Sequence, residues 1–407
     1  MESPWRNRRD GIPTVELPRW NRHASRKHSQ HKQRMSDPLL IGLTTGGAFL
    51  LAFLLFTNPK NNNVKANHWL GAFIFTFGCA MLEVFLHNLH LHSKRVALFD
   101  LIEVSRFLSA PMLYLSVVFF TATDKKSTIR MLWHFVLFAA VLLFRLPHMV
   151  TGENVRFSDP MTARVVLTLL KIALPIQTVV YWGLSYRKLI RHRQNIEQVA
   201  SSTDEIDLSW LQYFLWVLAA VVLVWLNLAI FNFTLLFHIT PFLYLLSVYF
   251  LAYFALQQKE IYPYSKPALR ELDLVISAKT STRSEKQKRL TESQASVLKD
   301  KLAHLMQAEK VYLDSALSLP VLAQKMSISI HELSYLINEV YGQNFFSFVN
   351  GYRIEEAKRL LLSEEFEKLN MLGIAFEAGF NSKTTFNTAF KKSTGQSPSE
   401  FASAGRK

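Results

Sequence analysis

The sequence predicts an all-α protein in which a polytopic bundle of about seven membrane helices precedes a soluble domain with two helix-turn-helix units. Residues 38–257 consist largely of apolar runs near the ~20-residue length that crosses a bilayer. Residues 258–407 are charged and show the apolar spacing of amphipathic helices. Within them, the pattern of helix, tight turn and helix occurs twice, about 50 residues apart. These three observations divide the chain into a membrane domain and a soluble domain.

Seven apolar segments define the predicted spans. They lie at residues 38–57, 69–85, 101–121, 129–150, 163–186, 208–231 and 240–256. The sixth and seventh are nearly continuous through residues 232–238, so six spans are the alternative.

The loop charges favour a cytoplasmic C-terminus. With that orientation, nine Lys and Arg residues flank the spans on the cytoplasmic side and four on the other side. Seven crossings then place residues 1–37 outside, although this basic segment carries nine Lys and Arg residues that resist translocation. Either synthesis starts at Met35, or the number of spans is even.

The net charge of +15 does not by itself indicate DNA binding. Residues 311–407 contain ten basic and ten acidic residues, and the positive excess lies in and beside the membrane region. There it sets orientation and contacts anionic lipid. Cys79 is the only cysteine, so the chain cannot form an intrachain disulfide.

Polar residues inside the apolar segments fall toward the outer side of the predicted bundle. Because ionisable groups are costly in lipid, they normally face one another or an aqueous cavity. The predicted ligand-binding or proton-binding residues are Glu83, His87, His90, Glu103, Arg106, Arg145, His148 and Lys171. In the alternative interpretation, Glu103 and Arg106 only neutralise each other at spacing i,i+3 and the histidines lie at headgroup level. We predict no bound metal.

Residues 258–310 form a predicted linker and leading helix. A helical pattern begins at Thr291 and places Val297, Leu302 and Met306 along one apolar stripe. The stretch before it is rich in Ser, Thr and Lys, which indicates a mobile connection.

Cap signals bound the two predicted helix-turn-helix units. In the first, Ser318 is a cap candidate and Ser329 with Glu332 forms a capping box. In the second, Asn370 and Ser382 are the cap candidates. Gly342 and Gly395 are expected to end the two second helices.

One long helix is predicted between the units. Its apolar stripe contains Phe345, Phe348, Ile354, Ala357 and Leu361. Its outward residues are expected to be Arg353, Glu355, Glu356 and Lys358.

Residues 311–405 resemble the DNA-binding domain of the AraC/XylS family of transcription regulators. The resemblance lies in "LAQKMSISIHELSYLINE", "NFFSFVNGYRIEEAKRLLL" and "IAFEAGFNSKTTFNTAFKKSTGQSPSEF". The whole chain is similar to the membrane-anchored branch of that family. The resemblance implies two recognition helices that enter successive major grooves on one face of DNA, ~34 Å apart.

The resemblance also implies the DNA contacts of each recognition helix. Base edges would be contacted by His331, Ser334 and Tyr335 on the first helix and by Lys383, Thr384, Asn387 and Thr388 on the second. Phosphates would be contacted by Ser382, Lys391 and Lys392. These side chains suit their roles because Asn can read adenine, Lys can read guanine, and Thr methyl groups can contact thymine.

The sequence therefore predicts a non-enzymatic, one-chain sensor and transcription regulator of a bacterial cytoplasmic membrane. It contains no phosphate-binding glycine loop and no nucleophile or zinc-protease motif, so we predict no catalytic residues and no cofactor. Its expected partners are promoter DNA, membrane lipid and a signal ligand or partner protein; activation or repression and homodimerisation stay open. One alternative is a transporter or channel with a docking tail. Another is a helix bundle that only anchors the regulator.

Overall fold

The computed structural model describes residues 38–89, 96–123, 126–152, 159–230, 234–278, 291–363 and 369–405. The basic segment 1–37, with the alternative start at Met35, and residues 279–290 of the predicted linker lie outside these ranges. The described residues form helices, and the β pairing among them is an isolated bridge between Ala200 and Ser318. The all-α prediction is confirmed.

Seven apolar helices occupy the first part of the chain. They are α1 (Pro38–Thr57), α2 (Val64–Asn88), α3 (Val96–Thr121), α4 (Val136–Thr151), α5 (Pro160–Ile196), α6 (Ser209–Ile230) and α7 (Thr234–Gln257). A 3₁₀ segment, Ile129–Phe135, leads into α4. Among the described residues, six of these stretches are long and apolar enough to cross a bilayer, while the apolar stretch in α6, Ser209–Val224, is shorter.

Eight shorter helices follow. They are α8 (Lys266–Ala278), α9 (Glu292–Gln307), α10 (Leu319–Met326), α11 (Ile330–Tyr335), α12 (Phe345–Leu361), α13 (Met371–Glu377), α14 (Lys383–Thr394) and α15 (Pro398–Gly405). A π-helical turn, Leu336–Val340, extends α11.

The chain divides into two compact units. The first, here the membrane unit, comprises Met1–Phe120, Lys126–Lys188 and Trp210–Gln257. The second, here the C-terminal unit, comprises Thr121–Lys125, Leu189–Ser209 and Gln258–Lys407. It therefore includes two short segments from the region that the sequence analysis assigned to the membrane domain.

In the membrane unit, small residues allow close helix packing. A Cβ atom at Gly71 would lie 3.2 Å from the Leu55 Cβ, and one at Gly78 would lie 3.1 Å from the Phe49 ring. Such close approach of α2 to α1 is typical of helix pairs in membranes. Large apolar side chains such as Trp133 and Leu143 are exposed in the isolated chain, as lipid-facing residues would be.

The C-terminal unit has two hydrophobic clusters. The first packs α8, α9, α10 and α11 against the start of α12, and the second packs the end of α12 against α13, α14 and α15. The leading helix α9 begins at Thr291, whose capping box confirms the predicted start. Its buried stripe contains Leu302 and Met306 as predicted, but Val297 is exposed. Leu298, one position later, packs on the cluster instead, because it lies four residues before Leu302.

Candidate DNA-binding site

The second helix-turn-helix unit consists of α13, a tight turn at Gly379, and α14. Asn370 caps α13 by accepting a hydrogen bond from the Gly373 N–H at 2.8 Å. Ser382 caps α14 by accepting one from the Thr385 N–H at 3.1 Å. Both predicted caps are confirmed, and each satisfies a backbone donor at a helix start.

Gly379 fixes the angle between α13 and α14. Its φ of +87° lies in the left-handed region that favours glycine. A Cβ atom there would lie 2.5 Å from the Tyr312 carbonyl oxygen and 2.8 Å from the Leu313 Cα. The turn can therefore approach this backbone only without a side chain.

Helix α14 separates a buried aromatic face from a hydrophilic face. Phe386 and Phe390 are fully buried, and each ring contacts another aromatic ring of the second cluster. The predicted DNA contacts on α14 lie on the other side. Lys383, Thr384, Thr388, Lys391 and Lys392 are exposed, and Ser382 and Asn387 are half-buried.

The first helix-turn-helix unit has the predicted capping box. Ser329 accepts from the Glu332 N–H at 3.2 Å and donates its own N–H to the Glu332 carboxylate at 2.8 Å. This backbone hydrogen bond holds the pKa of Glu332 below its ordinary value. Ser318 precedes α10 as predicted, but its side chain makes no capping hydrogen bond.

The first recognition helix, α11, exposes less of its predicted contact set. Tyr335 is exposed and His331 is half-buried. Ser334 is buried, and its hydroxyl accepts a hydrogen bond from the Asn338 amide at 3.1 Å. Of the three residues predicted to contact bases, the buried Ser334 is not accessible in this conformation.

Helix α12 connects the two units as predicted. Phe345 and Phe348 belong to the first cluster, while Ile354, Ala357 and Leu361 belong to the second. One rigid helix thus contributes to both cores, which fixes the separation of α11 and α14.

The prediction that Arg353 lies on the outer face of α12 is wrong. Its side chain is 0% exposed and donates hydrogen bonds to the carbonyl oxygens of Tyr312 at 2.7 Å and Asp314 at 2.8 Å. It also contacts the Asn350 amide oxygen and both the hydroxyl and the carbonyl oxygen of Ser201. Burial lowers the pKa of Arg353 to about 10, so the group is still charged at neutral pH. Hydrogen-bond acceptors outside α12 explain the burial.

Ser201 lies in the segment between α5 and α6, here called the 197–207 loop. Backbone hydrogen bonds join this loop to the starts of α10 and α12: the Leu319 N–H donates to the Val199 carbonyl oxygen at 2.8 Å, and the Phe346 N–H donates to the Glu197 carbonyl oxygen at 2.9 Å. This contact was not predicted from the sequence. No short-range signal could have shown it, because the partners are more than a hundred residues apart in the chain.

Helix α8 was also missed, since its segment was assigned to the linker. Leu272 and Val275 are buried in the first cluster, and Ala268 and Ile276 pack against it. Their spacing of four, seven and eight residues is the pattern of an amphipathic helix, so the signal was present in the sequence.

The predicted ligand-binding residues of the membrane unit form ion pairs between helices. Arg145 on α4 contacts the Glu103 carboxylate on α3 and lies 3.7 Å from Asp100. The His148 Nδ1 lies 2.6 Å from the Asp100 carboxylate. Arg106 pairs with Glu83 on α2 at 2.6 Å. Glu103 and Arg106 therefore each pair with a residue on another helix.

The other predicted members lie elsewhere. His87 and Lys171 are exposed, and His90 lies outside the described residues. In the described part of the chain, no group of three or more His, Cys, Asp and Glu side chains is arranged to hold a metal ion.

Comparison with known proteins identifies the C-terminal region. A family profile described as a helix-turn-helix domain matches residues 322–404. The arabinose operon regulatory proteins of Salmonella typhimurium strain LT2 and Escherichia coli strain K12 are each 33% identical to this chain over 88 residues. The match covers 22% of this chain and 30% and 29% of those proteins, so it spans less than a third of either relative. No solved structure matches the chain. Its C-terminal region is thus an AraC-type helix-turn-helix domain, a DNA-binding domain of transcription regulators, preceded by apolar helices compatible with a membrane region.

Proposed function

We propose that this protein is a membrane-embedded transcription regulator that binds promoter DNA in the cytoplasm and responds to a signal at the membrane. One observation carries the proposal. The C-terminal unit contains, besides the AraC-type domain, residues 121–125 and 189–209, which connect apolar helices. The DNA-binding domain therefore packs with segments whose ends continue into candidate membrane spans.

The chain segments that belong to the C-terminal unit also support seven spans. Residues 209 and 258 belong to the same unit, and if this unit lies on one side of the membrane, the chain between them would make an even number of crossings. Because Ile239–Gln257 is long and apolar enough to cross, α6 would then be the second crossing between these residues. By the same reasoning α4 and α5 would both cross. In that topology the basic residues Lys126 and Arg187 would lie at cytoplasmic ends of the spans, as the charge rule favours.

DNA contacts follow from the exposed face of α14. In the groove, Lys383 would read guanine, Asn387 would read adenine, and Thr384 and Thr388 would contact thymine methyl groups. Lys391 and Lys392 in the last turn would neutralise phosphates. The second recognition helix thus supplies both base contacts and charge.

The signal site is proposed at the ion pairs of Asp100, Glu103, Arg145 and His148. A protonation or an ionic ligand that breaks these pairs would change how α3 packs against α4. It could shift the regulator only by binding one conformation more tightly than the other. Because α3 ends at Thr121, such a change would reach the segment 121–125 of the C-terminal unit through the chain itself.

Genome-wide capture of DNA bound to the tagged full-length protein tests the regulator function. We expect enrichment of a small set of promoters, lost when residues 311–407 are deleted. Capture of the genome without preference would contradict the proposal.

One arginine variant and one lysine variant test the proposed signal site. Arg145→Gln breaks the buried pairs, whereas Lys171→Gln removes the same charge from an exposed position on α5. We expect promoter occupancy to change in the first variant only, after correction for the amount of protein in the membrane. Equal occupancy in both would place the signal site elsewhere.

A further inference from the structure

We propose that the 197–207 loop and helix α8 hold the DNA-binding domain in an inhibited state by placing carboxylates at the starts of both recognition helices. The proposal rests on the proposed function, since it requires α11 and α14 to be the helices that enter DNA. It assigns these two segments, which lie outside the matched domain, the role of an internal competitor of DNA.

The contact at α14 involves the residues that start this helix. The Ser382 hydroxyl donates a hydrogen bond to the Asp204 carboxylate, and the Ser202 hydroxyl lies 2.5 Å from the Asn381 amide oxygen. DNA phosphates bind at the starts of recognition helices, where backbone N–H groups and hydroxyl groups converge. Asp204 occupies this position with a negative charge, so a phosphate there would meet both a filled site and electrostatic repulsion.

Asp204 is held there by the loop that carries it. Two residues earlier, Ser202 contacts Asn381, and three residues earlier, Ser201 accepts hydrogen bonds from the buried Arg353. The backbone bridge between Ala200 and Ser318 continues this attachment. The contact at Ser382 is therefore the last of a continuous series.

The neighbouring carboxylates of the same loop have different partners. Glu205 pairs with Lys259 at 2.7 Å, and Asp207 accepts from the Ser209 N–H at 3.0 Å. Of the three acidic residues from 204 to 207, Asp204 is the one that contacts α14. This difference provides a matched control for the test.

At α11, helix α8 supplies the second carboxylate. Glu271 accepts a hydrogen bond from the Ile330 N–H, the first residue of α11, at 3.1 Å. Leu272, next to it, is fully buried in the cluster that includes Ile330 and Leu333. A recognition helix presents its first residues to base edges, so α8 at this end of α11 would stand between the helix and the groove.

The balanced charge of the DNA-binding domain increases the effect of these two carboxylates on DNA binding. Residues 311–407 carry ten basic and ten acidic residues, so the domain has no net positive charge to offset them. Phosphate neutralisation supplies most non-specific DNA affinity. Two carboxylates on the binding face therefore weaken DNA binding substantially.

Release would come from the segments that carry the inhibitor. The 197–207 loop follows the last residue of α5, Ile196, and precedes the first residue of α6, Ser209. Helix α8 is joined to the segment between α3 and α4 by the Thr123 hydroxyl, which donates to Asp273 at 2.6 Å. A shift of these apolar helices would pull the carboxylates away from the recognition helices.

A charge-matched pair of variants tests the proposal in the full-length protein reconstituted in lipid nanodiscs. Binding is measured to a fluorescent library of short DNA duplexes with randomised centres. We expect Asp204→Asn to raise affinity about 5- to 20-fold, within the usual range of coupling between sites, and Glu271→Ala to raise it further. Glu205→Gln removes the same charge one residue away and is expected to change affinity less than about twofold. Equal affinities of the Asp204 and Glu205 variants would overturn the proposal.

A reversible cross-link provides a second, independent measurement. Cysteines at Ser202→Cys and Asn381→Cys, in a Cys79→Ala background, would lock the loop onto α14 when oxidised. We expect the oxidised protein to bind the duplex library more weakly than wild type and the reduced protein to recover. Failure to cross-link, or equal binding of both forms, would overturn the inhibitory contact.

The two proposals fail in different ways. If no form of the protein retains duplexes at low salt, the proposed function fails. If wild type binds duplexes and neither the charge variants nor the cross-link alters the affinity, only the inhibitory role fails.

Discussion

The two helix-turn-helix units share one architecture but differ in how much of it meets solvent. Both have a side-chain cap on the recognition helix, from Ser329 in the first unit and Ser382 in the second. In the second unit, α14 exposes three lysines on its hydrophilic face. In the first unit, α8 packs against α11, and the predicted base contact Ser334 is buried. The same local fold thus leaves the lysine-bearing face of α14 exposed and buries part of the predicted contact set of α11, while a carboxylate lies at the start of each helix.

This difference indicates a division of roles between the units. We infer that the second helix-turn-helix unit would supply the charge for DNA affinity, because its lysines would replace counterions on the phosphates. Between Ile330 and Tyr341, the first recognition helix and its extension contain no Lys or Arg. Its contribution would come from base contacts and from the position that α12 imposes, so it is the unit in which covering by α8 can control specificity.

The largest expected difference between the units concerns their glycines. Gly379→Ala should destabilise the C-terminal unit by about 3–5 kcal/mol, because the turn is strained for any side chain and the new Cβ meets the Tyr312 carbonyl. Gly342→Ala should cost about 1–2 kcal/mol, since its φ is +64° but nothing lies within 4 Å of the added atom. Proteolysis of the nanodisc-embedded protein in increasing urea measures both. Equal losses would show that the Gly379 turn is not tightly packed.

Arg353 lies where the two clusters meet along α12, and its removal should affect both. Arg353→Met should destabilise the C-terminal unit by about 2–4 kcal/mol, because it leaves the carbonyl oxygens of Tyr312 and Asp314 without the Arg353 donors. Arg359→Met is the control, since the Arg359 side chain is more than half exposed and Glu356, its partner at spacing i,i+3, keeps its pair with Lys310. The same urea-dependent proteolysis should show less than about 1 kcal/mol for the control. A similar loss in both variants would contradict the structural role of Arg353.

Lysine variants compare the DNA surfaces directly. Lys383→Ala on α14 should weaken DNA binding by about 1–3 kcal/mol and reduce the dependence of affinity on salt. Lys325→Ala removes another exposed lysine, from α10 of the first helix-turn-helix unit, and should have a much smaller effect. Titration of the reconstituted protein with duplex DNA at several salt concentrations measures both. The division of roles would be refuted if Lys325→Ala weakened binding more than Lys383→Ala.

The smallest expected effects concern the caps and their response to pH. Ser329→Ala and Asn370→Ala should each cost about 1 kcal/mol, because each leaves a backbone N–H without its acceptor. The pKa of Glu332 is lowered in the folded state, so its contribution is present above the unfolded pKa and is lost as pH falls through the folded value. We therefore expect acid to weaken the first unit's cap, and Glu332→Gln to remove that dependence. Urea-dependent proteolysis across the acidic pH range measures this dependence. If the stability of the wild type did not change with pH, the Glu332 carboxylate would not contribute to the cap.

Local signals predicted much of the C-terminal unit. The capping serines and asparagine, the start of α9 at Thr291 and the single helix α12 all depend on residues within a few positions of one another. Such interactions form within one turn of helix, so the residue order alone specifies them. The apolar runs likewise predicted the membrane helices, because length and hydrophobicity suffice for that prediction.

The errors involved partners that are distant in the chain. A charged residue on a helix is normally exposed, so Arg353 was assigned to the outer face, but carbonyl oxygens from two other segments surround it. Helix α8 was overlooked because its neighbourhood is rich in turn-forming and charged residues, although its own apolar spacing is regular. The Glu103–Arg106 interpretation considered one helix, whereas each residue pairs with a partner on another helix.

The sequence by itself determined which residues form helices, where α11 and α14 begin and which side chains lie on the hydrophilic face of α14. These properties follow from periodicity, caps and short-range sterics, which act between neighbours along the chain. Only the tertiary structure decided that Asp204 and Glu271 lie at the starts of α14 and α11, and that Ser201 of the 197–207 loop accepts hydrogen bonds from Arg353. Hydrogen bonds and burial bring together residues far apart in the chain, and no local pattern encodes which of many polar residues will become partners.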